Sequence, residues 1–303
     1  MPELPEVEVV RHGLAPAVSG ATIDAVDVLD ERSLKRHSGP AEDFIERLTG
    51  ARLRGAVRRG KFLWLPIENA SNDPAEALVA HLGMSGQVLL RDAQAEAAPL
   101  TRIRFALTHP VHGPLRLDFV DQRIFGSMAV DAMLPTRDGV AAGFGLPLAS
   151  IPSQVAHIAR DPLDPAFDER TFLRRLAAKR TTIKRALLDQ TLISGIGNIY
   201  ADEALWAARV HYDQPTETLS ARRARSLLAE VRLVLQRALA EGGTSFDAQY
   251  VNVNGASGYF SHSLRAYGQQ GTPCRRCARL IVREQFMNRG SHFCPHCQRI
   301  RIR

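Results

Sequence analysis

The spacing of hydrophobic and polar residues differs between the two halves of the chain. Residues 21–130 contain short runs of aliphatic, aromatic and β-branched residues separated by Gly, Pro, Asn or Asp, which predicts the strands of a sandwich or barrel. These runs cover residues 22–29, 61–66, 77–81, 87–91, 102–108 and 115–120.

Helical spacing appears on both sides of this strand-rich region. Val7, Val10 and Leu14 predict a first helix over residues 6–18. From residue 168 onward, apolar residues recur at three- and four-residue steps, which predicts helices over 172–179, 183–189, 198–207 and 220–241. The last of these carries Leu227, Leu228, Val231, Val234, Leu235 and Leu239 on one side. We therefore expect a β-rich half and a helical half, joined by a linker that contains Pro, Gly and Ala.

Length and composition narrow the class of protein. A chain of 303 residues is long enough for two domains and a further small unit. No apolar run approaches the ~20 residues that cross a membrane. The opening MPELPEVEVV is acidic where a secretory signal would be basic. We expect a soluble protein of the reducing cytoplasm.

The four cysteines of the chain form two C-x2-C pairs near its end. Cys274 and Cys277 are separated by sixteen residues from Cys294 and Cys297. Each pair places two thiolates at one turn, and the gap is long enough for a hairpin, which is the spacing of a structural zinc ribbon. Two disulfides or four unrelated thiols are the alternatives. A closed four-thiolate site performs no chemistry but folds a segment that has little core of its own.

Positive charge is concentrated in the same segment. From Arg265 to the end there are nine arginines, no lysine and a single acidic residue, Glu284. The net charge of the whole chain is +7, so residues 1–264 are close to neutral. Such a concentration of arginine favours a polyanionic partner, most often a nucleic acid. A solubilising tail is the alternative.

The first residues carry a second candidate for chemistry. The small residue Pro2 favours removal of Met1, which would leave a free secondary amine. An α-amine is partly unprotonated near neutral pH, so it can attack an electrophilic carbon and form an iminium. Glu3 adjoins it and could act as an acid or base. Taken alone, Pro2 and Glu3 are better explained as an ordinary helix start, where Pro and Glu are common.

Several motifs occur together in one order along nearly the whole chain. They are PELPEVEVVRHGL at the start, HLGMSG at 81–86, DQRIFG at 121–126, SGIGNIYADEALW at 194–206 and the four cysteines. The chain thereby resembles the bacterial formamidopyrimidine-DNA glycosylases, which excise oxidised purines such as 8-oxoguanine. Leu4 favours this branch, because the related endonuclease VIII branch usually has Gly there.

The resemblance implies an α+β protein of three parts. We expect a catalytic β-sandwich with flanking helices over 1–135, a linker over 136–152, a helix-two-turn-helix DNA-binding domain over 153–264 and a zinc finger over 265–303. It further implies one structural zinc ion and a monomer that acts on double-stranded DNA containing a damaged base.

The resemblance also implies a role for each catalytic residue. Pro2 would attack C1′ of a nucleotide flipped out of the duplex, with Glu3 assisting as a proton donor. Lys61 matches the lysine assigned to β-elimination. Arg289, between the cysteine pairs, matches the arginine assigned to phosphate binding and δ-elimination. The expected activity is that of a glycosylase and abasic-site lyase, with no metal at the reaction centre.

A further set of residues is expected to bind DNA. Met84, Arg123 and Phe125 match the trio that fills the space left by the flipped nucleotide. The glycine-rich turn before Asn198 leads into a helix whose N–H groups we expect to face phosphates. By resemblance the DNA contacts also include Lys179, Asn198 and Tyr259, and residues 244–258 correspond to the loop that covers the flipped base.

One departure from the family pattern is visible. Many members have a DNA-binding histidine where this chain has Leu100, and His109 is not at the matching position. Two other functions stay open at this point. They are a glycosylase of the endonuclease VIII type that prefers oxidised pyrimidines, and a DNA-binding protein without catalytic activity.

Overall fold

The strands of the first half pair into two antiparallel sheets. One contains β1 (Thr22–Val28), β6 (Thr101–His109), β7 (Gly113–Asp121) and β5 (Gly86–Asp92), in that order. The other contains β2 (Val57–Arg59), β3 (Phe62–Pro66), β4 (Glu76–His81), β8 (Ser127–Pro135) and β9 (Ser150–Pro152), in that order. The structure, a computed structural model, describes residues 2–68, 75–96, 99–244 and 259–301.

The two sheets enclose one hydrophobic core. Ile103, Phe105 and Leu107 alternate along β6 with less buried residues, as expected for a strand with one face in the core. They pack in a cluster that also includes residues of the second sheet, such as Leu63 and Met128. All six strands predicted from the sequence are present, with ends that differ by one or two residues, whereas β2, β8 and β9 were not predicted.

Two helices flank this sandwich. Helix α1 (Leu4–Val18) begins before the predicted start and buries Val7, Val10 and Leu14 in the core. Helix α2 (Ala41–Leu48) was not predicted, and it buries Phe44 and Leu48. A short 3-10 helix, Glu31–Leu34, lies between them in the chain.

The chain divides into two units. The first contains Glu6–His157 together with Pro2 and Thr244, and the second contains Glu3–Pro5, Ile158–Gly243 and residues 259–301. The predicted linker over 136–152 includes β9, which pairs with β8. Phe144 exchanges backbone hydrogen bonds with Arg58 of β2, so this segment is part of the first unit.

The second unit contains four helices around a separate core. They are α3 (Glu169–Ala178), α4 (Ile183–Leu188), α5 (Asn198–Ala207) and α6 (Ala221–Ala240). All four were predicted, and α5 has the predicted limits. The α6 residues Leu227, Leu228, Val231, Val234 and Leu235 are buried as the helical spacing requires.

A β-hairpin near the chain end belongs to the second unit. Strands β10 (Val282–Phe286) and β11 (Arg289–Phe293) pair so that Phe286 is opposite Arg289. Phe286 and Phe293 pack in the core of the helical unit, and Tyr212 lies edge-on to both rings. Of the helices in the described ranges, none is long and apolar enough to cross a membrane.

Candidate functional site

The four cysteines surround a common point at the base of the hairpin. All four sulfurs lie within 4.8 Å of one another, and all four thiols are free of disulfides. A tetrahedral zinc with Zn–S bonds of about 2.3 Å places its sulfurs about 3.8 Å apart, so the arrangement fits one structural zinc ion. Among the residues that the structure describes, this is the one cluster of metal-binding side chains.

Trp206, near the end of α5, packs against the cysteine cluster. It shares a hydrophobic cluster with Cys274 and Cys294. The guanidinium of Arg276 lies 3.8 Å from the centre of the Trp206 ring and donates to the carbonyl of Trp206 at 2.6 Å. The zinc site is therefore joined to the helical unit through the last turn of α5.

The other end of α5 holds the carboxylate of Glu3. The backbone N–H groups of Gly197, Ile199 and Tyr200 donate to its two oxygens, at 2.9 Å for Ile199. Amides at a helix start, together with the helix dipole, stabilise a negative charge. Glu3 is 1% exposed, so its buried carboxylate needs hydrogen-bond donors. The N–H groups at the start of a helix have no acceptor within the helix, and these contacts provide both sides with partners.

The glycine-rich turn therefore has a different task from the one predicted. Its N–H groups were expected to face DNA phosphates, but the amides of Gly197, Ile199 and Tyr200 donate to Glu3. A Cβ at Gly197 would lie 2.4 Å from the Glu3 carboxyl carbon. Glycine is required here because the carboxylate comes so close to the backbone.

Asn198 and the backbone beside Arg289 lie together at the same helix start. The Asn198 amide donates to the carbonyl of Gly290 at 3.1 Å. The Lys184 ammonium donates to that carbonyl at 3.3 Å. Arg289 itself is exposed at the start of β11. Within the second unit the structure thus brings together three predicted site residues, Glu3, Asn198 and Arg289, which are almost three hundred residues apart in sequence.

A buried ion pair fixes the hairpin at this point, and the sequence motifs did not reveal it. Lys184 donates to Asp202 at 2.6 Å, and both side chains are 0% exposed. Asp202 also accepts from the backbone N–H of His292 at 2.8 Å and from the hydroxyl of Ser291 at 3.1 Å. Burial lowers the pKa of Lys184, although Asp202 opposes this shift.

The first unit holds Pro2 and Lys61. Pro2 is buried. Lys61 lies in the tight turn between β2 and β3, beside Gly60, which has a φ of 56°. Arg58, 1% exposed, donates to Glu8 at 2.7 Å and to the carbonyl of Gly60 at 3.1 Å. Arg58 therefore anchors the turn of Lys61 to helix α1.

Glu6 has a structural task in the same unit. One of its carboxylate oxygens accepts from the backbone N–H of Thr244 at 2.7 Å and from the hydroxyl of Thr244 at 2.9 Å. Thr244 is the first residue of the predicted loop over the flipped base, and residues 245–258 of that loop lie outside the described residues.

Two turns of the first unit present the predicted duplex-filling residues side by side. Met84, in the turn between β4 and β5, is 46% exposed, and Phe125, between β7 and β8, is 43% exposed. The Arg123 guanidinium lies 4.6 Å from the centre of the Phe125 ring. A Cβ at Gly83 would lie 2.4 Å from the Phe125 carbonyl carbon, so glycine lets the two turns touch.

Asp121 joins these two turns. It is 0% exposed, and it accepts from the Ser85 hydroxyl and from the backbone N–H groups of Arg123 and Gly126. Asp121 opens the DQRIFG motif. An acid that ends an apolar strand-like run and precedes a turn with glycine is a sequence signal that could have indicated this role.

His81 lies at the end of β4, directly before the Met84 turn. Its Nδ1 accepts from the Gly83 N–H at 3.2 Å, and its ring packs against Phe62. Burial, together with the nearby cations of Arg36, Lys61 and Lys35, lowers the pKa of His81 to about 4. The imidazole is therefore neutral at physiological pH.

The remaining predicted DNA-binding residues, and the position of the missing family histidine, lie at or near the surface except for the buried His109. Lys179 pairs with Asp189 at 2.5 Å on the surface of the second unit. Tyr259 is 72% exposed. Leu100 is 44% exposed in the turn before β6, with a φ of 65°. His109 is buried at the end of β6, where its Nδ1 accepts two N–H groups of the next turn.

Three family models match successive parts of the chain. The formamidopyrimidine-DNA glycosylase N-terminal domain matches residues 1–128, and the H2TH domain of the same family matches residues 158–249. A zinc finger found in FPG and IleRS matches residues 271–300. With the two sheets, the helices and the cysteine cluster, these matches confirm the predicted fold class and the single structural zinc.

Individual relatives match over their whole length. The formamidopyrimidine-DNA glycosylase of Leifsonia xyli subsp. xyli is 66% identical over 300 residues, which cover 99% of this chain and 100% of that protein. The one from Thermobifida fusca is 54% identical over 302 residues, covering 98% and 97%.

Solved structures of a third relative have the same fold. Lactococcus lactis Fpg bound to an abasic site containing DNA has a TM-score of 0.80 and 29% identity, covering 98% of this chain and 99% of that chain. The same enzyme bound to an oxidised pyrimidine containing DNA has a TM-score of 0.79 with the same identity and coverage.

The contact between Gly197 and Glu3 predicts the effect of adding one methyl group. Gly197→Ala should destabilise the protein by about 1–3 kcal/mol, because the Cβ overlaps the Glu3 carboxylate. The effect should fall below about 1 kcal/mol in a Glu3→Ala background, where that overlap is gone. Urea denaturation followed by circular dichroism measures both. Equal destabilisation in the two backgrounds would show that the carboxylate does not occupy this position.

The packing of Trp206 predicts an optical signal for metal loss. Removing zinc with a chelator should shift the tryptophan emission to longer wavelength, because the cysteine cluster that covers Trp206 opens. Trp206→Phe should abolish this shift. Trp64→Phe should retain it, since Trp64 is buried in the first unit. A shift that survives in Trp206→Phe would contradict the assignment.

The lowered pKa of His81 predicts a loss of stability in mild acid. The unfolded chain takes up this proton near pH 6.5 and the folded chain only near pH 4, so stability falls as the pH drops between these values. From pH 7.5 to pH 5 the wild type should lose about 2 kcal/mol more than His81→Asn. Urea denaturation at both pH values gives this difference, and identical losses would rule out the buried neutral imidazole.

Proposed function

Because the chain belongs to the formamidopyrimidine-DNA glycosylase family, as its motifs predicted, we propose that it removes oxidised purines from duplex DNA and then cleaves the abasic site. The substrates are 8-oxoguanine and formamidopyrimidines. The main observation in support is the position of the Glu3 carboxylate. It binds backbone N–H groups at the start of α5, next to Asn198, whose side chain contacts the hairpin of Arg289. That arrangement gathers an acid, a phosphate-binding amide and an arginine within one unit.

The reaction begins at Pro2 once Met1 has been removed. Its neutral secondary amine attacks C1′ of the extruded nucleotide, the glycosidic bond breaks, and the base leaves with the bonding electron pair and a proton. The sugar ring opens to give an iminium between the proline nitrogen and C1′. The base is thus released while the enzyme stays attached to the sugar.

Strand cleavage follows from the iminium. The iminium makes the C2′ proton acidic, and loss of this proton expels the 3′ phosphate in β-elimination. A second proton loss expels the 5′ phosphate in δ-elimination, and hydrolysis of the iminium restores Pro2. A gap of one nucleotide remains. This lyase step accounts for the presence of Lys61 and Arg289, in addition to Pro2 and Glu3.

Glu3 acts on the residue before it in the chain. Its carboxylate is held by three backbone amides at the start of α5, and Glu3 is bonded directly to Pro2 in the chain. It transfers protons during opening of the sugar and stabilises the cationic iminium.

The cations hold the phosphates on either side of the lesion. Lys61 is the proton carrier in β-elimination and a phosphate contact, and Arg289 binds phosphate and assists δ-elimination. Lys179, Asn198 and Tyr259 bind further phosphates. Release of counterions from these phosphates makes binding fall steeply with salt.

Extrusion of the damaged nucleotide leaves a gap in the base stack. Met84 and Phe125 enter this gap from their neighbouring turns, and Arg123 hydrogen-bonds the unpaired opposite base. Their exposure and the touching of the two turns support this role. Leu100, which stands where many members of the family have a DNA-binding histidine, contributes no charged contact.

Family membership also supports a proposal for the oligomeric state, the cellular location and the domain boundaries. The protein acts as a monomer in the bacterial cytoplasm, at the nucleoid, and its zinc is structural. The catalytic domain is proposed over residues 1–135, and the segment 136–152 packs with it through β9 before the helix-two-turn-helix domain at 153–264. The finger follows at 265–303.

Borohydride trapping tests the proposal. Reduction during reaction with duplex DNA containing 8-oxoguanine opposite C should give a covalent protein–DNA adduct, because the iminium becomes a stable amine. Protein with an uncleaved N-terminal extension should give none, whereas the same protein cleaved to expose Pro2 should regain the adduct. Absence of an adduct from the Pro2-exposed protein would refute the enzymatic function.

A parallel substrate separates the two branches of enzyme. Excision of 8-oxoguanine should exceed excision of thymine glycol in matched duplexes by about tenfold or more, because a buried polar group left without a partner costs about 1–3 kcal/mol. The reverse order would assign the chain to the endonuclease VIII type.

A further inference from the structure

Lys35 reaches across the first unit to the turn between β7 and β8. Its ammonium donates to the carbonyl of Ile124 at 2.9 Å and to the carbonyl of Phe125 at 3.1 Å. The turn is about ninety residues away in sequence. Lysines at a surface are usually solvated and mobile, so two backbone acceptors at one ammonium mark a defined contact.

The turn that Lys35 contacts has a backbone that needs support. Ile124 has a φ of 55°, in the left-handed region that β-branched residues rarely adopt. The carbonyl of this same residue is one of the two that Lys35 binds. Such conformations persist only where neighbouring groups hold them in place.

An acidic and a basic side chain both bind the backbone of this turn. Asp121 accepts the N–H groups of Arg123 at 3.1 Å and Gly126 at 2.7 Å. Lys35 binds carbonyls of the two residues between them. An anion on the amides and a cation on the carbonyls together restrain the segment 122–126, which carries two of the three predicted duplex-filling side chains.

The position of Lys35 is itself fixed by the same framework. Lys35 directly follows the 3-10 helix Glu31–Leu34, which begins at the capping residue Asp30. Asp30 accepts from Arg102 at 3.2 Å, and Arg102 donates to the carbonyl of Asp121 at 2.8 Å. These contacts connect the 3-10 helix that precedes Lys35 to Asp121, the residue at which the turn begins.

We propose that Lys35 is a positioning residue, which holds the segment 122–126 in the shape that presents Arg123 and Phe125 to the duplex. The role in DNA rests on the proposed function, whereas the hold on the turn does not. The other use of an exposed lysine in such a protein is a direct phosphate contact. Three measurements distinguish these roles when Lys35 is replaced. They are hydrogen exchange of the DNA-free protein, the salt dependence of the DNA-binding constant, and the excision rate with and without the side chains of Arg123 and Phe125.

Hydrogen exchange of the DNA-free protein tests the hold on the turn. In Lys35→Met the amides of residues 122–126 should exchange about tenfold faster or more, because opening of the turn is no longer opposed. Arg137→Met is the matched control, since it removes one exposed cation from a different turn of the first unit. Lys35→Arg should restore part of the protection. Equal exchange in wild type and Lys35→Met would overturn the proposal.

A double-mutant cycle tests the consequence for catalysis. Single-turnover excision of 8-oxoguanine should slow about tenfold in Lys35→Met, but less than about twofold when the same change is made in Arg123→Ala/Phe125→Ala, because the presented side chains are already absent. The slope of log binding constant against log salt should equal that of the wild type. A slope lower by about 1, with a full loss in the double background, would identify a phosphate contact and refute positioning.

The two levels of the proposal fail separately. If wild-type protein gives no borohydride adduct, the proposed enzymatic function fails, and hydrogen exchange still decides whether Lys35 holds the turn. If the wild type is trapped and Lys35→Met behaves like Arg137→Met in both assays, the inference about Lys35 fails alone.

Discussion

The hydrogen bonds between the Glu3 carboxylate and the first amides of α5 are the constraint on which the candidate site depends. A helix start offers N–H groups without intrahelical partners, and a buried acid needs donors, so each satisfies the other. Glu3 directly follows the residue proposed as nucleophile, and Asn198 directly follows the glycine that makes room for the carboxylate. One contact thus relates the start of the chain to the helix that also carries Asn198 and Asp202.

The hairpin of Arg289 depends on two separate anchors in the second unit. At its base, four thiolates arranged for zinc replace the hydrophobic core that so short a segment lacks. Near its turn, the buried pair of Lys184 and Asp202 binds the backbone around Gly290 and His292. The cost of removing two charges from water offsets much of their attraction, so the main contribution of this anchor is the position that it gives to the hairpin backbone. Metal chemistry and a buried ion pair therefore cooperate in placing one exposed guanidinium.

Buried carboxylates that accept backbone amides recur throughout the molecule. Glu6 binds Thr244, Asp121 binds the turn of Arg123, and Glu203 accepts the N–H groups of Arg265, Ala266 and Tyr267 at the start of the finger segment. Burial raises the pKa of Glu203 to about 7. A backbone N–H is removed only by substitution to proline and is otherwise independent of the side chain, so these acids hold loops without fixing the residues that the loops present. Lys35 complements this scheme on the carbonyl side of one such turn.

Local patterns in the chain were sufficient for most elements and for the zinc ligands, because strand alternation, helical spacing and C-x2-C pairs are short-range signals. The limits of α5 and the apolar side of α6 illustrate this. Helix α2 and strands β2, β8 and β9 were missed. The helical spacing of α2 extends over only eight residues, β2 and β9 are three residues long, and β8 is defined by its pairing with β4 and β9. The glycine-rich turn was read as a phosphate cradle, yet its amides bind Glu3, nearly two hundred residues away. Contacts between such distant residues, including those of Lys35 and Lys184, arise only when the chain is folded, because burial and geometry decide which charged group meets which partner.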